Sequence, residues 1–494
     1  MTKTKQDNMK RLDILIQGVP TLEVINPLNP EVLALDYDSR RVERGGCFFA
    51  VVGTASDGHD YIASAIERGA VAVVCQRIDG EPREGVSYIV VEDTNVAMAT
   101  MAAAYYDNPT HELKLVGVTG TNGKTTTATL LYDMFMAMGR KAGLVSTVVY
   151  RIGERSIAST HTTPDAIRLN AMMREMVDQG CEYCFMEVSS HAMAQHRTEG
   201  LRFAGAMFTN LTHDHLDYHG TYKNYIYAKK SLFDGLDKSA WAVVNIDDRN
   251  GEVMVQNCSA HVYRLSLRSM ADFRTKLHEL HADGMQLTID GHEVWVKFTG
   301  RFNAYNLTTV YAAATLLGVE PVEALTTLSM LSPVSGRFET IVAKDRTMAI
   351  VDYAHTPDAL ENVLETIAEV RREPQQLFVV CGCGGDRDRT KRPEMAAIAV
   401  KHATLAIFTS DNPRTESPEA ILDDMIAGVG AMDNYLRITN RREAIYAAAR
   451  MAKPGDIILV AGKGHEDYQI IGTEKYHFDD RDEIREAFKT THDR

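Results

Sequence analysis

The sequence predicts an α/β fold in which parallel sheets are divided among several domains. Apolar runs that look like buried strands alternate with polar or glycine-rich turns and amphipathic helical segments, as in LKLVGVTG before TTTATLLYDMFMAMG. This alternation is typical of parallel α/β sheets. At 494 residues the chain is also too long for one hydrophobic core. Ligands bind such sheets at the carboxyl ends of strands, and the polar clusters of this sequence lie there.

Three blocks account for the chain: residues 1–108, 109–335 and 336–494. The first block holds short strands such as CFFAVVG and GAVAVVC and ends at DNPTHE. The second begins with a glycine-rich loop and ends near SPVSGRF, and the third is another α/β unit. We therefore expect three domains with these boundaries.

Composition argues against several classes of function. Hydrophobic residues make up 45% of the chain and charged residues 24%, as in an ordinary soluble protein. The net charge of -14 argues against a general nucleic-acid or anionic-membrane binder. No apolar run is long enough to span a membrane, and the N-terminus lacks the apolar core of a secretory signal. We expect a cytoplasmic protein without membrane insertion.

The seven cysteines do not form a disulfide framework in a chain of this length. Cys181 and Cys184 form a C-x-x-C, and Cys381 and Cys383 form a C-x-C. Neither motif has a second pair or a histidine at zinc spacing nearby, and both lie in apolar, strand-like runs. The sequence predicts buried thiols rather than a redox or metal site.

The glycine-rich stretch GVTGTNGKTTT is the strongest sign of a ligand site. A strand leads in, a helix leads out, and its GKT matches the end of a phosphate-binding loop. Backbone N–H groups can wrap phosphate oxygens there, Lys124 adds positive charge, and the Thr125 or Thr126 hydroxyl can hold Mg²⁺. Val118 stands where the strict pattern requires glycine, so a variant loop is predicted. The predicted nucleotide-binding residues are Gly120, Thr121, Asn122, Gly123, Lys124, Thr125 and Thr126.

Two stretches rich in acidic groups or histidine follow later predicted strands. Glu187 ends the strand in FMEVSSHAMAQHR, where a carboxylate can hold Mg²⁺ beside nucleotide phosphates. FTNLTHDHLDYHG, which contains His215, packs histidines and aspartates after another short strand. Its spacing is neither that of a zinc protease nor that of a zinc finger. We interpret it as part of the metal and phosphate site, with turn or capping histidines as the alternative.

Together these motifs resemble those of the Mur ligase family, the ATP-dependent amino-acid-adding enzymes of peptidoglycan synthesis. The resemblance runs through nearly the whole chain and includes TGTNGKTTT, YAKKSLF, RFNAYNLTTVYAAA, GRFE, DYAHTPDALENVL, CGCGGDRDRTKRPEM, DNPR and GKGHEDYQ. It implies a UDP-sugar-binding N-terminal domain, a central P-loop ATPase domain and a C-terminal Rossmann-like domain. It also implies that ATP phosphorylates a carboxylate and that an amino group then displaces phosphate.

The resemblance implies roles for individual residues of the ATP and metal sites. Lys229, in YAKKSLF, would be carbamylated and would hold a second Mg²⁺ with His215, while Thr125 and Glu187 hold the first. Lys124, Lys229 and His215 would be the catalytic residues. Without the resemblance, Lys229 would be interpreted as a solvated helix lysine. The further ATP contacts implied are Asn303, Asn306, Arg337, Asp352 and His355.

The resemblance implies that a UDP-sugar dipeptide binds along the first two blocks. Hydroxyl groups and one arginine suit a ligand rich in phosphate and carboxylate oxygens. His161 stands where many relatives carry asparagine before TTP, so the sequence departs from the family pattern there. The residues implied for this substrate are Ser39, Thr54, Ala55, Ser56, Thr162, Thr163, Ser189, Gln195 and Arg197.

The motif DNPR bears on which amino acid is added. Family members that add the third amino acid of the peptide attach meso-diaminopimelate or L-lysine. Only diaminopimelate carries a second carboxylate at its far end. A guanidinium can pair with that carboxylate through two hydrogen bonds, and in the family this tetrapeptide marks the diaminopimelate-adding enzymes. Taken alone, Arg414 would be a surface arginine after a proline turn. The residues implied for diaminopimelate are Arg387, Asp411, Asn412, Pro413, Arg414, Gly462 and Glu466.

Four alternative functions fit parts of the sequence. A lysine-adding ligase of the same family would lack Arg414, and a folylpolyglutamate synthase would lack DNPR and the first block with DSRRV and SDGHDY. A P-loop kinase or GTP switch would not need GKGHEDYQ, and a UDP-sugar-binding module would not need Lys124 or Glu187. The sequence favours a ligase whose partners are ATP, Mg²⁺, UDP-N-acetylmuramoyl dipeptide and meso-diaminopimelate. The family precedent is a monomer.

Overall fold

A computed structural model of the chain describes residues 9–53, 56–212 and 216–492, without the side chains of residues 216 and 217. Within these residues three large sheets follow one another along the chain. None of the helices in the described part is both long and apolar enough to cross a membrane. The cysteines predicted to be buried are free thiols and buried: Cys181, Cys184, Cys381 and Cys383.

In the described residues, the N-terminal part forms a small mixed sheet of five strands and a separate pair made by its first and third strands. Its strands are β1 (Lys10–Arg11), β2 (Thr21–Ile25), β3 (Glu31–Val32), β4 (Ala34–Asp36), β5 (Gly46–Phe49), β6 (Ala70–Cys75) and β7 (Ser87–Val91), and its helices are α1 (Leu12–Leu15), α2 (Ile62–Glu67) and α3 (Thr94–Tyr105). As far as the chain is described, the sheet order is β2-β7-β6-β5-β4. Strands β4 to β7 run parallel, and β2 closes the edge antiparallel to β7. Asp93 begins α3 by accepting the Asn95 N–H at 2.7 Å.

The central part is built on the largest sheet. Its strands are β8 (Lys114–Thr119), β9 (Ala142–Val145), β10 (Val149–Ile152), β11 (Arg155–Ala158), β12 (Tyr183–Glu187), β13 (Phe203–Phe208), β14 (Trp241–Asn245), β15 (His261–Ser266), β16 (Phe273–His281), β17 (Gly284–Ile289) and β18 (His292–Val296). Its helices are α4 (Lys124–Ala137), α5 (Ala166–Asp178), α6 (Ser190–Ala194), α7 (Leu216–His219), α8 (Tyr222–Asp234), α9 (Gly251–Met254), α10 (Arg301–Leu316) and α11 (Pro321–Met330).

The central sheet places the predicted ligand motifs side by side. β8 lies between β12 and β13, and their parallel register sets Glu187 opposite Val118 and Phe208 opposite Thr119. The three strands end at the same edge, so the glycine-rich loop, Glu187 and the segment after Phe208 meet there. The sheet is not parallel throughout, because β10–β11 and β17–β18 at its ends pair antiparallel.

The C-terminal part forms a mostly parallel sheet. Its strands are β19 (Glu339–Val342), β20 (Met348–Asp352), β21 (Leu377–Cys381), β22 (Leu405–Phe408), β23 (Tyr435–Arg437), β24 (Ile457–Ala461), β25 (Tyr468–Ile471) and β26 (Glu474–His477), and its helices are α12 (Pro357–Val370), α13 (Lys391–His402), α14 (Pro418–Ile426), α15 (Arg441–Met451) and α16 (Asp480–Thr491). In the described residues the sheet order is β19-β20-β24-β21-β22-β23, and only β19 is antiparallel to its neighbour. β25 and β26 form a separate hairpin.

A buried ion pair joins two helices of the C-terminal part. Arg441 begins α15 and Asp480 begins α16; both side chains are fully buried, and two hydrogen bonds of 2.7 Å join them. Arg441 also donates to the Ala461 carbonyl at 2.9 Å, at the end of β24. Burial opposes the charge on Arg441, but Asp480 outweighs it and raises the pKa of the guanidinium. The pair therefore fixes both helices to the strand end that precedes GKGHE.

Replacing Arg441 by methionine should destabilise the C-terminal part by about 3–5 kcal/mol, because the Asp480 carboxylate would stay buried without a counter-ion. Arg442→Met is the matched control: Arg442 joins the same two helices by pairing with Glu483, but its side chain is 61% exposed. We expect less than about 1 kcal/mol from the control. Urea unfolding followed by circular dichroism measures both losses. Equal losses would contradict the role given to burial.

Candidate active site

The glycine-rich loop between β8 and α4 is shaped by close contacts with two other motifs. Gly120 has a φ of +150°, and a Cβ there would lie 2.0 Å from the Thr209 hydroxyl oxygen. Gly123 has a φ of +88°, and a Cβ there would lie 2.4 Å from Asn306 Oδ1. Only glycine fits at either position. Asn303 and Asn306, predicted as ATP contacts, are buried and hydrogen-bonded to each other, and they support this loop.

Two lysines converge on one carbonyl of the loop. Lys124 Nζ donates to the Gly120 carbonyl at 2.9 Å and to the next carbonyl at 2.8 Å, and Lys229 Nζ donates to Gly120 at 2.8 Å. Lys229 is 1% exposed, so the interpretation of it as a solvated helix lysine is wrong. Its neighbour Lys230 pairs with a carboxylate of its own helix instead. Both predicted catalytic lysines therefore lie at the phosphate loop.

Glu187 offers carboxylate oxygens at the same edge of the sheet. The carboxylate is buried, and it accepts the Thr147 N–H at 2.7 Å and the Thr147 hydroxyl at 3.2 Å. These two bonds leave further lone pairs on its oxygens. Thr125, in the first turn of α4, adds a hydroxyl oxygen. Mg²⁺ prefers such oxygen ligands, so this donor set fits Mg²⁺.

Five residues predicted for the UDP-sugar dipeptide form a connected group beside Glu187. Thr163 donates to the Glu187 carbonyl at 2.8 Å, and Arg197 donates to the Thr163 carbonyl at 2.6 Å. Arg197 also donates to Gln195 at 3.0 Å, and Gln195 donates to the Tyr218 hydroxyl at 3.0 Å. Tyr218 belongs to the HDHLDYHG stretch but was not predicted as a site residue. Ser189 joins through Thr163, and Thr162 joins through Thr147, which donates to both Thr162 and Glu187.

The first-block residues predicted for the same substrate are not joined to that group. Ser39 is buried and Ser56 is exposed, and no hydrogen bond among the described residues links either one to the group. The DYDSRR segment approaches it through Tyr37. Burial and the nearby Asp165 raise the pKa of Tyr37, while the charge of Arg197 lowers it. Three predicted site residues lie outside the described residues: Thr54, Ala55 and His215.

Arg337 links the C-terminal part to the phosphate loop. Its Nη2 donates to the Thr125 hydroxyl at 3.1 Å, and its guanidinium lies 4.6 Å from the centre of the Tyr353 ring. Asn122, in the loop, donates to Asp358 at 3.0 Å. Two elements of the third block therefore contact the loop directly, and Asp358 and Tyr353 join the site although the sequence did not single them out.

Asp352 and His355, also predicted as ATP contacts, differ in their surroundings. Asp352 accepts the Phe338 N–H at 2.7 Å and the Ala354 N–H at 2.8 Å. Burial raises the pKa of Asp352, against the charge of Arg337 and these two N–H groups. The Asp352 carboxylate thus holds the backbone at the start of β19, where Phe338 has a φ of +50°. His355 is exposed.

The DNPR and GKGHE turns meet beyond the carboxyl ends of β22 and β24. Lys463 Nζ lies 3.1 Å from Asp411 Oδ1 and 3.8 Å from Glu466 Oε2, and Asn412 Nδ2 donates to Glu466 at 2.9 Å. Burial opposes ionisation of Asp411, but Lys463 and Arg441 outweigh it and lower its pKa. Burial, and then Asp411, raises the pKa of Glu466. Lys463 stands in the GKGHE motif but was not predicted as a site residue.

Arg414 has a backbone conformation that favours glycine. Its φ is +50°, which costs a non-glycine residue about 1–2 kcal/mol. Its N–H donates to the Ile470 carbonyl at 3.1 Å and its carbonyl accepts the Gly472 N–H at 2.7 Å, so the β25–β26 hairpin holds this conformation. The guanidinium donates to the Gly385 carbonyl at 2.7 Å.

Arg387, also predicted for diaminopimelate, is exposed. Its described hydrogen bond, to the carbonyl of the preceding residue, is 3.5 Å long.

The GKGHE turn packs, without space for a side chain, against the backbone of residues 335–338, the segment between the second and third blocks, which we call the hinge. A Cβ on Gly464 would lie 2.6 Å from the Gly336 carbonyl oxygen, and one on Gly336 would lie 2.0 Å from the His465 nitrogen. Gly462, a predicted pocket residue, is equally confined, because a Cβ there would lie 2.7 Å from Asp411 Oδ2. Burial, and then the charge of neighbouring arginines, lowers the pKa of His465 to about 3.

Comparisons with known proteins match this architecture along the chain. The matching family models are the catalytic domain of the Mur ligase family over residues 31–106, the Mur ligase middle domain over residues 118–314, and the Mur ligase glutamate ligase domain over residues 336–464. The UDP-N-acetylmuramoyl-L-alanyl-D-glutamate--2,6-diaminopimelate ligase of Phocaeicola vulgatus is 52% identical over 97% of this chain and 99% of that protein.

Two solved structures share the fold. The structure of a UDP-N-acetylmuramoyl-L-alanyl-D-glutamate--2,6-diaminopimelate ligase is 32% identical, with a TM-score of 0.68, and the match covers 94% of this chain and 96% of that one. The MurF ligase from Thermotoga maritima in complex with ADP is 18% identical, with a TM-score of 0.60 over 93% of this chain and 97% of that one, and shows the fold alone.

His465→Gln should remove an acid-sensitive contribution to stability. The folded protein keeps His465 neutral down to about pH 3, whereas a histidine in the unfolded chain binds a proton below about pH 6.5. Acidification therefore favours the unfolded state. The contribution of neutral His465 to the free energy of unfolding is complete above about pH 6.5 and is smaller by about 2 kcal/mol at about pH 5.

Urea unfolding at about pH 7.5 and about pH 5 tests this prediction, with the acid loss smaller in His465→Gln than in the unmodified protein. His477→Gln is the matched control, because His477 is an exposed histidine on the nearby β26 strand. An acid loss of the same size in all three proteins would show that His465 does not carry it.

Proposed function

The chain belongs to the Mur ligase family, and from that premise we propose how its residues perform an ATP-dependent ligation. It is an amide-bond-forming ligase of peptidoglycan precursor synthesis that adds 2,6-diaminopimelate to UDP-N-acetylmuramoyl-L-alanyl-D-glutamate. One observation carries the assignment of substrate: the turns that follow β22 and β24 meet, because Asn412 Nδ2, two residues before Arg414, donates to Glu466 at 2.9 Å. Diaminopimelate has a carboxylate and an ammonium group at its far end to match those two charges.

The reaction has two steps. ATP transfers its γ-phosphoryl group to the terminal carboxylate of the UDP-sugar dipeptide, which gives an acyl phosphate and ADP. The amino group of diaminopimelate then attacks the acyl carbon, and the tetrahedral intermediate loses phosphate and a proton to leave the amide. Both steps bring anions together, so the protein mainly has to position groups and supply positive charge. Lys124, on the loop, and Arg337, which reaches Thr125, are suited to this role.

We assign the adenine ring to the cavity of about 430 Å³ between the β16–β18 strands and the hinge. Asn303, Thr299 and Phe338 line it. An amide and a hydroxyl suit the polar edge of a purine, and an aromatic ring suits its face. Asp352 would then contribute by holding the hinge backbone, and His355 by contacting the phosphates.

We propose that Thr125, Glu187, His215 and Lys229 hold Mg²⁺, which when bound would neutralise phosphate charge. The oxygen donors of Thr125 and Glu187 support this, as does the burial of Lys229 at the Gly120 carbonyl. An ammonium group would repel a metal ion. Lys229 can act as an anionic ligand once its ammonium group loses a proton and the neutral amine adds CO₂, which releases a second proton and leaves a carbamate.

We propose that the group around Arg197 binds the dipeptide of the UDP-sugar substrate. Arg197 is half-buried, and its bonds to Thr163 and Gln195 fix the guanidinium beside Glu187. A fixed guanidinium suits the carboxylate that is to be phosphorylated. The contacts of Ser39, Ser56, Thr54 and Ala55 with the UDP-sugar remain proposals of the same kind.

Further statements about the whole protein are also proposals. The domain boundaries after residues 108 and 335 are supported by the three successive sheets. The meso form of the amino acid, a monomeric state and a cytoplasmic location follow from the family precedent. The alternative in the same family, an L-lysine-adding ligase, would leave Arg414 without a carboxylate partner. Phosphate release with the UDP-sugar dipeptide, measured with meso-diaminopimelate and with L-lysine, tests the proposed function directly.

Arg414→Ala should lower kcat/KM for meso-diaminopimelate by about 100-fold, because the distal carboxylate loses a charged, two-bonded partner. The KM for ATP should stay within about twofold, since Arg414 lies in the amino-acid pocket. Arg389→Ala is the matched control, because Arg389 lies in the adjoining loop, pairs with Glu416 and is 68% exposed. Equal losses for the amino acid and for ATP would refute the specificity assignment.

Lys229→Ala should abolish most ligase activity, and added acetate or formate should restore part of it by supplying the missing carboxylate. Lys230→Ala is the matched control, because Lys230 is the adjacent buried lysine and pairs with Asp234. It should show no response to short carboxylates. The measurement is phosphate release across a carboxylate titration. Full activity in Lys229→Ala would mean that the metal-bridging role belongs elsewhere.

A further inference from the structure

Lys463 is a buried cation for which the reaction described above has no direct use. Its side chain is 0% exposed and donates to Asn412 Oδ1 at 2.9 Å and to the Tyr468 carbonyl at 2.7 Å. It also forms an ion pair of 3.1 Å with Asp411 Oδ1. The ammonium group thus has two hydrogen bonds and one ion-pair contact inside the protein, and it is fully buried. Lys463 therefore does not bind a substrate itself.

The partners of Asn412 determine which way its amide faces. The Lys463 ammonium and the Ile470 N–H both donate to the same amide atom, at 2.9 Å each, so that atom must be the oxygen. The other amide atom faces the Glu466 carboxylate at 2.9 Å and must be the nitrogen. The oxygen is thus held inward and the NH₂ group is presented on the side of Glu466.

We propose that Lys463 is a positioning residue for amino-acid specificity: by holding the Asn412 oxygen inward, it makes the amide present an N–H donor to the distal carboxylate of the incoming amino acid, beside the N–H that bonds Glu466. The inference rests on the proposed function, in which Arg414 binds the same carboxylate. Lys463 has a second effect on the pocket. It balances the buried charge of Asp411 at 3.1 Å and lies farther, 3.8 Å, from Glu466, so that Glu466 stays available as the acceptor for the distal ammonium group.

A merely structural role would have different consequences. Lys463 could serve only to tie the β25–β26 hairpin to the sheet through the Tyr468 carbonyl. Its loss would then lower stability and affect all substrates alike. A positioning role predicts instead a change in KM for one substrate and a change in the pH profile for that substrate.

The main test compares Lys463→Met with Lys475→Met. Both lysines contact the Tyr468 ring, but Lys475 is exposed on β26. Lys463→Met should raise the KM for meso-diaminopimelate at least about tenfold and leave the KM values for ATP and the UDP-sugar dipeptide within about twofold. Its kcat at saturating diaminopimelate should fall by less than about threefold. Lys475→Met should change none of these.

The pH profile is the second readout. Burial and then Asp411 raise the pKa of Glu466, whereas Lys463, the Asn412 amide and Arg414 lower it. Tyr353 also faces Glu466 but stays neutral, because burial raises the pKa of its phenol. Glu466 hydrogen-bonds the Tyr468 hydroxyl as well. Loss of Lys463 removes one of the lowering charges, so the carboxylate takes up a proton at a higher pH. The acid limb of kcat/KM for diaminopimelate should therefore move to higher pH in Lys463→Met, and that for ATP should not.

Asn412→Asp separates the two roles even if Lys463→Met does not fold. The inner carboxylate oxygen still accepts from Lys463 and Ile470, whereas the outer oxygen replaces the donor that faces Glu466. One of the two facing carboxyl groups must then hold a proton, as in other close carboxyl pairs. With that proton shared the variant should fold, yet lose about 100-fold in kcat/KM for diaminopimelate. An unchanged KM for diaminopimelate in both variants, with an active unmodified enzyme, would overturn the inference alone. An unmodified enzyme that does not use diaminopimelate would overturn the proposed function and this inference together.

Discussion

The contact between Gly336 and the turn at Gly464 and His465 is the constraint that joins the two chemical halves of the site. The backbones are so close that a Cβ on either glycine would overlap backbone atoms of the facing segment. The turn therefore cannot shift without the hinge. Lys463 and Glu466 lie on one side of this contact, and Arg337, bonded to Thr125 of the phosphate loop, lies on the other. The amino-acid pocket and the phosphate loop are thus held in one arrangement by main-chain packing.

The C-terminal part buries more charged side chains than its stability requires. Asp411, Lys463, Arg441 and Asp480 are all buried within one connected region. Removing charged groups from water costs several kcal/mol per ion, and well-packed apolar residues are often as stable. What apolar residues cannot supply is orientation. Arg441 donates to the Ala461 carbonyl at the end of β24, and Lys463, two residues after Ala461, donates to Asn412. Each charge therefore fixes the position of a polar group at the pocket.

Much of the fold could be predicted from the sequence, because strands buried on both faces are continuous apolar runs and their ends are marked by polar turns. The strands before the phosphate loop, Glu187 and DNPR were all found in this way. The antiparallel hairpins at the sheet edges were not, since their half-exposed strands lack such runs. Long-range partners such as Asp358 for Asn122 could not be predicted either, because nothing local in the chain records which residues meet across domains.

Arg414 illustrates why a motif does not reveal the physical basis of its specificity. The backbone at this position has a left-handed conformation that glycine would adopt without strain. A side chain is retained there although it costs about 1–2 kcal/mol, and the β25–β26 hairpin offsets that cost through the bonds to Ile470 and Gly472. The left-handed backbone sets the direction of the guanidinium, so the same arginine on an ordinary turn would point elsewhere. The specificity proposed for a distal carboxylate would therefore depend on the hairpin, far along the chain, as much as on the arginine itself.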